Sequence, residues 1–167
     1  MRDFSLRRIN SETVLVALER ARSYRLANDP QQAESICLDI LAIDPAHHEA
    51  LTTLILALAD QFSTRSDLFE RTRSLAAGLH DEYERLYLSG LIAEREARAI
   101  SPRGLGAGFA RGLLLTAIEL YERAEAIRPA NNIDSILRRN GCLRIMQAEG
   151  LESVNANASG LDPSRAR

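Results

Sequence analysis

The chain has 167 residues, of which 46% are hydrophobic and 26% charged, and this composition is typical of one soluble globular domain. A net charge of −2 excludes a whole-chain attraction to nucleic acid or to an anionic membrane, so we expect neither as a partner. No apolar run approaches the roughly 18 residues of a transmembrane helix, and the first residues lack the apolar core of a signal peptide. We therefore expect a cytoplasmic protein, and its 21 basic residues, all arginine, favour a GC-rich bacterial genome.

Helical periodicity runs through almost the whole chain, and no segment alternates long enough for a strand, so the predicted fold class is all-α. After an N-terminal extension of residues 1–10, a first helix is predicted over 11–27 with Ser11 as its N-cap. In the stretch NDPQQ, Asp29 is placed to cap a second helix. Pro30 suits the first position of that helix because its φ is already fixed near the helical value.

Five further helices follow from the same kinds of signal. Pro45 is expected in the first turn of the third helix, and the fourth is predicted to cover 64–79. Asp81 is placed to cap the fifth helix. The sixth is predicted over 111–127, and the seventh follows Pro129.

One internal segment and one terminal segment differ from this helical pattern. The segment ISPRGLGAGFARG at 100–112 contains four glycines and a proline, which predicts an insertion that is not regular helix throughout, with Phe109 anchoring it on the core. The helical domain is therefore predicted over 11–149, followed by a tail, 150–167, whose few apolar residues predict disorder. The apolar positions expected to be buried include Val14, Leu18, Ala21, Tyr24, Leu114, Ala117, Ile133 and Leu137.

Two stretches of the chain repeat one pattern. Residues 33–45 are AESICLDILAIDP, and residues 117–129 are AIELYERAEAIRP. In each stretch an alanine is followed four residues later by Cys37 or Tyr121, and a proline closes the stretch. The prolines are 84 residues apart, which equals two steps of 34 residues and 16 more, about the length of the glycine-rich insertion. We infer a helix-turn-helix period of 34 residues with one insertion.

A 34-residue unit with these features resembles the tetratricopeptide repeat. In that family small residues stand where the two helices of a unit cross, and Ala17, Ala21 and Tyr24 are similar to the family's first helix. Gly90, which costs about 1 kcal/mol inside a helix, is expected as the crossing residue of the third unit. The resemblance implies a tetratricopeptide-like α-solenoid of about three helix-turn-helix pairs plus a C-terminal capping helix. The alternative is an irregular helical bundle.

The resemblance also implies a function, because the first helices of such units line the concave side of a solenoid. We expect a non-enzymatic protein–protein interaction module that holds an extended peptide or a partner helix on this side. Relatives that bind chaperone tails use a clamp of Lys, Arg and Asn there, of which this chain supplies only Arg22, so chaperone-tail binding is not predicted. The predicted groove residues are Leu18, Arg22, Arg25, Thr52, Leu56, Asp60, Tyr87, Leu91, Glu94 and Arg95.

Two alternatives for the function stay open at this point. The glycine-rich loop 101–112, which contains Arg103 and Arg111, is a candidate for binding a small ligand or an anion through its backbone amides. It lacks the glycine spacing and the preceding strand of a dinucleotide site. The other alternative is a homo-oligomeric scaffold, for example a homodimer.

The sequence offers no set of residues typical of catalysis or of metal binding. His47 and His48 are neighbours that point about 100° apart on a helix, whereas the ligands of a zinc site must converge. Cys37 and Cys142 are isolated in the sequence, and both are expected to be buried as small apolar side chains. We therefore expect no catalytic residues, no metal and no cofactor.

Overall fold

A computed structural model describes residues 3–100 and 107–150 of the chain. Within these two ranges all regular structure is helical, which confirms the predicted all-α class for this part of the chain. The predicted tail lies outside the described residues, apart from its first residue. The seven α-helices are α1 (Val14–Leu26), α2 (Pro30–Leu41), α3 (His48–Asp60), α4 (Phe69–Ala77), α5 (Glu82–Ile100), α6 (Ala107–Ala126) and α7 (Asp134–Ala148).

Two of the predicted helix starts are confirmed. The Asp29 carboxylate accepts a hydrogen bond from the Gln32 amide at 3.2 Å, and Pro30 is the first residue of α2. At α5, the Asp81 carboxylate accepts from the Glu84 amide at 2.8 Å. Both helices therefore begin where a carboxylate pairs with an amide that has no partner within the first turn.

The predicted N-cap of the first helix is wrong by one residue. Asn10, and not Ser11, supplies the capping oxygen, which accepts from the Thr13 amide at 3.0 Å. A single 3-10 turn over Ser11–Thr13 precedes the first α-helical residue, Val14. Asparagine and serine cap helices about equally well, so the choice between neighbours depends on backbone geometry that the sequence does not specify.

The predicted start of the third helix is also wrong. Asp44 accepts from the Ala46 amide at 3.1 Å, and this bond places Pro45 in a turn outside the helix. The N-cap of α3 is His47, whose Nδ1 accepts from the Ala50 amide at 3.3 Å. The predicted fourth helix is shorter than expected, because a 3-10 turn over Ser66–Leu68 precedes α4.

The helices pack in the order of the chain. Each helix contacts the next one, and the α5–α6 contact is the most extensive. The odd-numbered helices also contact one another in series, α1 with α3, α3 with α5, and α5 with α7. One side of the molecule is therefore built from α1, α3, α5 and α7, and we call it the odd-helix face. No helix among the described residues combines the length and apolarity needed to cross a membrane.

The two repeated stretches occupy equivalent places in the core. Three residues of each stretch stand at matching positions, and all six side chains are fully buried. These residues are Ala33, Cys37 and Ile40 in α2, and Ala117, Tyr121 and Ala124 in α6. Ahead of the first helix, residues 3–10 form no regular structure, although Ile9 packs against the cluster of buried residues around Leu18. The expected burial of both cysteines is confirmed.

Gly90 marks a close crossing of α5 and α6, as predicted. A Cβ atom added at Gly90 would lie 2.9 Å from Cε1 of Tyr121 and 3.0 Å from its Cδ1. Real carbon contacts are longer than this, so the tyrosine ring occupies the space that any larger residue at position 90 would need. The two helices approach closely because one residue has no side chain and the other fills the gap.

The glycine-rich insertion is shorter than the sequence predicts. Residue 100 ends α5, and α6 begins at Ala107, four residues before the predicted start at 111. Burial of Ala110 and Leu114 offsets the intrinsic cost of the glycines in this first part of α6. Helices α5 and α6 contain 19 and 20 residues, against 13 in α1 and 12 in α2. Much of the length by which the second repeated stretch is displaced from the predicted 34-residue period therefore lies in the longer helices α5 and α6.

Four apolar or aromatic residues expected on the core are exposed. Tyr24 is 40% exposed, Phe109 63%, Ile133 52% and Leu137 58%. Helix α7 instead buries Ser135, Cys142 and Met146. Tyr24 lies in the first helix, and Ile133 and Leu137 lie at the start of the last one, so no further helix of the described series covers them. Phe109 lies in the first turn of α6.

Candidate binding site on the odd-helix face

Two clefts of similar size open on the odd-helix face. The first cleft, about 340 Å³, lies between α1 and α3, and the second, about 330 Å³, lies where α3, α5 and α7 meet. The first cleft is lined by Arg22, Arg25, Leu26, Thr52, Thr53 and Leu56. The second cleft is lined by Ala59, Asp60, Phe62, Ser63, Glu94, Arg95, Arg98, Ala99 and Arg138. Seven of the ten predicted groove residues thus line one cleft or the other.

The remaining three predicted groove residues lie elsewhere. Leu18 and Leu91 are 2% and 1% exposed and belong to the core, so a partner does not meet them. Tyr87 is half-buried, with its ring stacked on Tyr83 at 5.9 Å and tilted against Tyr121 at 5.9 Å. It joins the core clusters on either side of α5 and does not line either cleft. Tyr87 and Leu91 are packed because both sides of α5 contact the core. Leu18 of α1 is packed in a cluster with Ile40 and Ala50.

Ion pairs hold the charged residues of the first cleft in place. Arg22 Nη2 donates to Glu49 Oε1 at 3.0 Å, and Arg25 Nε donates to Asp60 Oδ2 at 2.6 Å. Residues 1–30 carry six arginines and four acids, whereas residues 31–62 carry five acids and no arginine. The two contacts therefore join a basic part of the chain to an acidic one, and part of that charge asymmetry is neutralised within the molecule.

Asp60 connects three helices at the boundary between the two clefts. It lies at the end of α3 and contacts both Arg25 of α1 and Arg95 of α5. Burial lowers the pKa of Arg25, and burial together with neighbouring guanidiniums, above all Arg138, lowers the pKa of Arg95 to about 10. Both arginines stay positively charged at neutral pH, but they share one carboxylate.

A second buried carboxylate, Glu94, lies at the base of the second cleft. It is 2% exposed, and its Oε2 accepts a hydrogen bond from the Tyr121 hydroxyl at 2.8 Å. Its Oε1 accepts from Arg98 at 2.8 Å and from Arg138 at 3.5 Å. Burial and the negative charge of Glu94 raise the pKa of Tyr121, so the hydroxyl remains a donor. The tyrosine of the repeated pattern thus also positions a charged residue of the cleft.

Two arginines that line the second cleft, Arg98 and Arg138, are not among the predicted groove residues. Arg98 follows Glu94 by four residues on α5, and this spacing alone indicates an ion pair on one helix face. Arg138 belongs to α7, and its contact with Glu94 depends on how α7 packs against α5. The i, i+4 spacing in the sequence identifies Arg98, whereas only the tertiary structure identifies Arg138.

The predicted anion site in the glycine-rich segment lies largely outside the described residues, Arg103 included. Its other arginine, Arg111, is a half-buried residue of α6 that has an interaction partner. His47 caps α3, and His48 Nε2 lies 2.7 Å from Glu84 Oε2. Among the residues that the structure describes, no group of three or more His, Cys, Asp or Glu side chains could hold a metal ion.

The polar groups of the two clefts are guanidiniums, carboxylates and hydroxyls. Each of their arginines and carboxylates forms an ion pair. The two buried thiols are poor nucleophiles, because burial raises the pKa of Cys37 to about 11 and that of Cys142 to about 12. Comparison with protein-family models, curated proteins and solved structures gives no match for the chain.

Proposed function

We propose that the protein is a non-enzymatic interaction module that holds an extended peptide or a partner helix along its odd-helix face. The observation that carries this proposal is the pair of clefts in series on that face, lined by side chains from α1, α3, α5 and α7. A segment of a partner that crosses both clefts would meet aliphatic, hydroxyl and charged groups in succession. Such a mixture suits a peptide bound by side-chain pockets and polar contacts together.

The proposal includes a tetratricopeptide-like solenoid as the architecture. Contacts in chain order support it, since each unit of a solenoid touches only its neighbours. The serial contacts among the odd-numbered helices support a concave odd-helix face, because the inner helices of a curved array approach one another most closely. The matching burial of the repeated positions and the Gly90–Tyr121 contact agree with small residues at helix crossings.

The ordering of the charged side chains favours binding on this face. Arg25, Asp60 and Arg95 form one connected group, and Glu94 is fixed by Tyr121. Side chains that are already held lose little conformational entropy when a partner binds, so more of the contact energy appears as affinity. Free surface arginines would lack this advantage.

A matched pair of variants tests the proposal by affinity capture from the native cell. Thr52→Arg places a long charged side chain in the first cleft, whereas Thr116→Arg makes the same change on α6. The two threonines are equivalent locally, since each hydroxyl donates to a backbone carbonyl of its own helix at 3.1 Å. We expect a protein captured by the wild type to be lost with Thr52→Arg and kept with Thr116→Arg. A captured set that is the same for all three proteins would contradict the proposal.

A further inference from the structure

The second cleft carries more positive than negative charge. Three arginines of its lining, Arg95, Arg98 and Arg138, accompany the two carboxylates of Asp60 and Glu94. Arg25 of the first cleft also pairs with Asp60, so the connected cluster holds four guanidiniums. Each carboxylate already contacts two of these arginines. A fully paired cluster would need two more negative charges, and no contact among the described residues supplies them.

Two arginines of this cleft, Arg98 and Arg138, are more exposed than its carboxylates. The Arg98 and Arg138 side chains are 56% and 36% exposed, whereas those of Glu94 and Asp60 are 2% and 20% exposed. An approaching molecule therefore meets guanidinium groups first. Arg98 and Arg138 each give one nitrogen to Glu94, and Arg138 also interacts with the Tyr87 side chain. A guanidinium carries five N–H donors, so both side chains have further donors.

We propose that the second cleft binds a carboxylate side chain from an acidic segment of a partner protein, with Arg98 and Arg138 as its direct donors. This inference rests on the proposed function and specifies the chemistry of the partner at one of the two clefts. Arg95 lies behind the two donors and adds positive charge to the cleft while remaining bound to Asp60. Guanidinium groups pair with carboxylates through parallel hydrogen bonds, and such charge-assisted contacts are stronger than neutral ones.

The shape and surroundings of the cleft favour an acidic protein segment over a free inorganic anion or a nucleic acid. The Arg98 and Arg138 side chains are 56% and 36% exposed, and the methylene groups of an Asp or Glu side chain can pack against their aliphatic stems. Inorganic phosphate has no such groups. A long polyanion would also pass Glu49, which pairs with Arg22 at the first cleft and would repel it.

Fluorescence anisotropy with two synthetic peptides tests this inference. The first is a fluorescein-labelled, C-terminally amidated peptide of alternating glutamate and leucine, and the second has glutamine in place of glutamate. We expect the wild-type protein to bind the glutamate peptide at least about tenfold more tightly than the glutamine peptide, with the difference shrinking as salt is added. Arg98→Gln should remove most of that difference, and Arg98→Lys should keep part of it.

A control variant and a stability measurement keep the test decisive. Arg123→Gln makes the same charge change at an exposed position of α6 and should bind like the wild type. Arg98→Gln leaves Glu94 in contact with Tyr121 and Arg138, so the variant should remain folded, as thermal unfolding will show.

Several results would overturn the inference, and each can be separated from a failure of the proposed function. Suppose that both peptides bind equally well and that Thr52→Arg weakens this binding while Arg98→Gln does not. The proposal of an acidic partner segment would then be wrong, while the proposal of binding on the odd-helix face would stand. If the glutamate peptide does not bind, the proposal of an acidic partner segment is also wrong. The capture experiment tests binding on the odd-helix face independently. Inorganic phosphate that stabilises the wild type but not Arg98→Gln, without peptide binding, would assign the cleft to small anions.

Discussion

At the scale of single residues, burial changes how tightly two thiols hold their protons. Cys37 and Cys142 are fully buried, and burial is the main reason that their pKa values rise from 9.0 to about 11 and about 12. A nearby negative charge, that of Glu34 for Cys37 and of Glu94 for Cys142, acts in the same direction. At neutral pH both thiols are protonated and pack as apolar core residues. They lower the stability of the folded state only at alkaline pH, where the unfolded chain loses their protons.

We predict that the free energy of unfolding falls as the pH rises above 9. Below that value the thiols are protonated in both states, and above it the unfolded chain releases its protons first, since the folded pKa values are higher. Each thiol should lower the free energy of unfolding by about 1.4 kcal/mol per pH unit until its folded pKa is reached. Urea unfolding under reducing conditions at a series of pH values measures this slope.

Replacement of one thiol provides the control for this prediction. Cys142→Ala should make the slope between pH 9 and pH 11 shallower by about 1.4 kcal/mol per pH unit, although it lowers stability at neutral pH by leaving a small cavity. Tyr121, whose pKa is also raised mainly by burial and by Glu94, is present in both proteins and contributes to both slopes. An unchanged slope would show that Cys142 is not the buried, protonated group described here.

At the scale of helices, the α5–α6 crossing depends on the absence of a side chain at position 90. Gly90→Ala would bring a Cβ within 2.9 Å of the fully buried ring of Tyr121. Both helices must then separate or the ring must move, and we predict a loss of about 1–3 kcal/mol in the free energy of unfolding. Chemical denaturation of the purified variant measures this loss.

Gly141→Ala is the matched control for that substitution. Gly141 also lies inside a helix, α7, but a Cβ there would meet nothing within 4 Å. Alanine is the better helix former, so this variant should gain up to about 1 kcal/mol. If both variants gain stability, the proposed role of Gly90 at the crossing is wrong.

Helix boundaries show what local sequence can and cannot predict. Asp29 and Asp81 are recognisable caps because each precedes a helix whose first turn favours an acidic partner. Pro45 carries a similar local signal, yet the Asp44–Ala46 hydrogen bond forms a turn there and His47 caps α3 instead. Two local structures compete for the same residues at such places, and the packing of the neighbouring helices selects one.

At the scale of the whole molecule, the sequence predicts single packing contacts of the repeated stretches, whereas it predicts the second cleft only in part. The repeated pattern predicts a close contact at Gly90 and full burial of positions such as Tyr121, and both are observed. The same tyrosine also holds Glu94, which no repeat pattern implies. Arg138 reaches Glu94 because α7 packs against α5, and a contact between residues 44 apart has no local signature.

In the glycine-rich segment, composition misplaces a helix start. The sixth helix is predicted to begin at 111, but α6 already begins at Ala107, and α5 extends to Ile100. Arg98, a proposed donor of the second cleft, lies in the last turn of this long α5. Contacts made by Ala110 and Leu114 outweigh the weak helix propensity of the glycines.

Site-specific photo-crosslinking in the native cell tests most directly whether the odd-helix face holds a protein segment. A photoreactive phenylalanine analogue replaces Leu56 in the first cleft, and in a control protein it replaces Leu115, which is 41% exposed on α6. We predict a covalent adduct with a partner protein from position 56 and none from position 115. Adducts of equal yield at both positions, or none at position 56, would contradict binding on the odd-helix face.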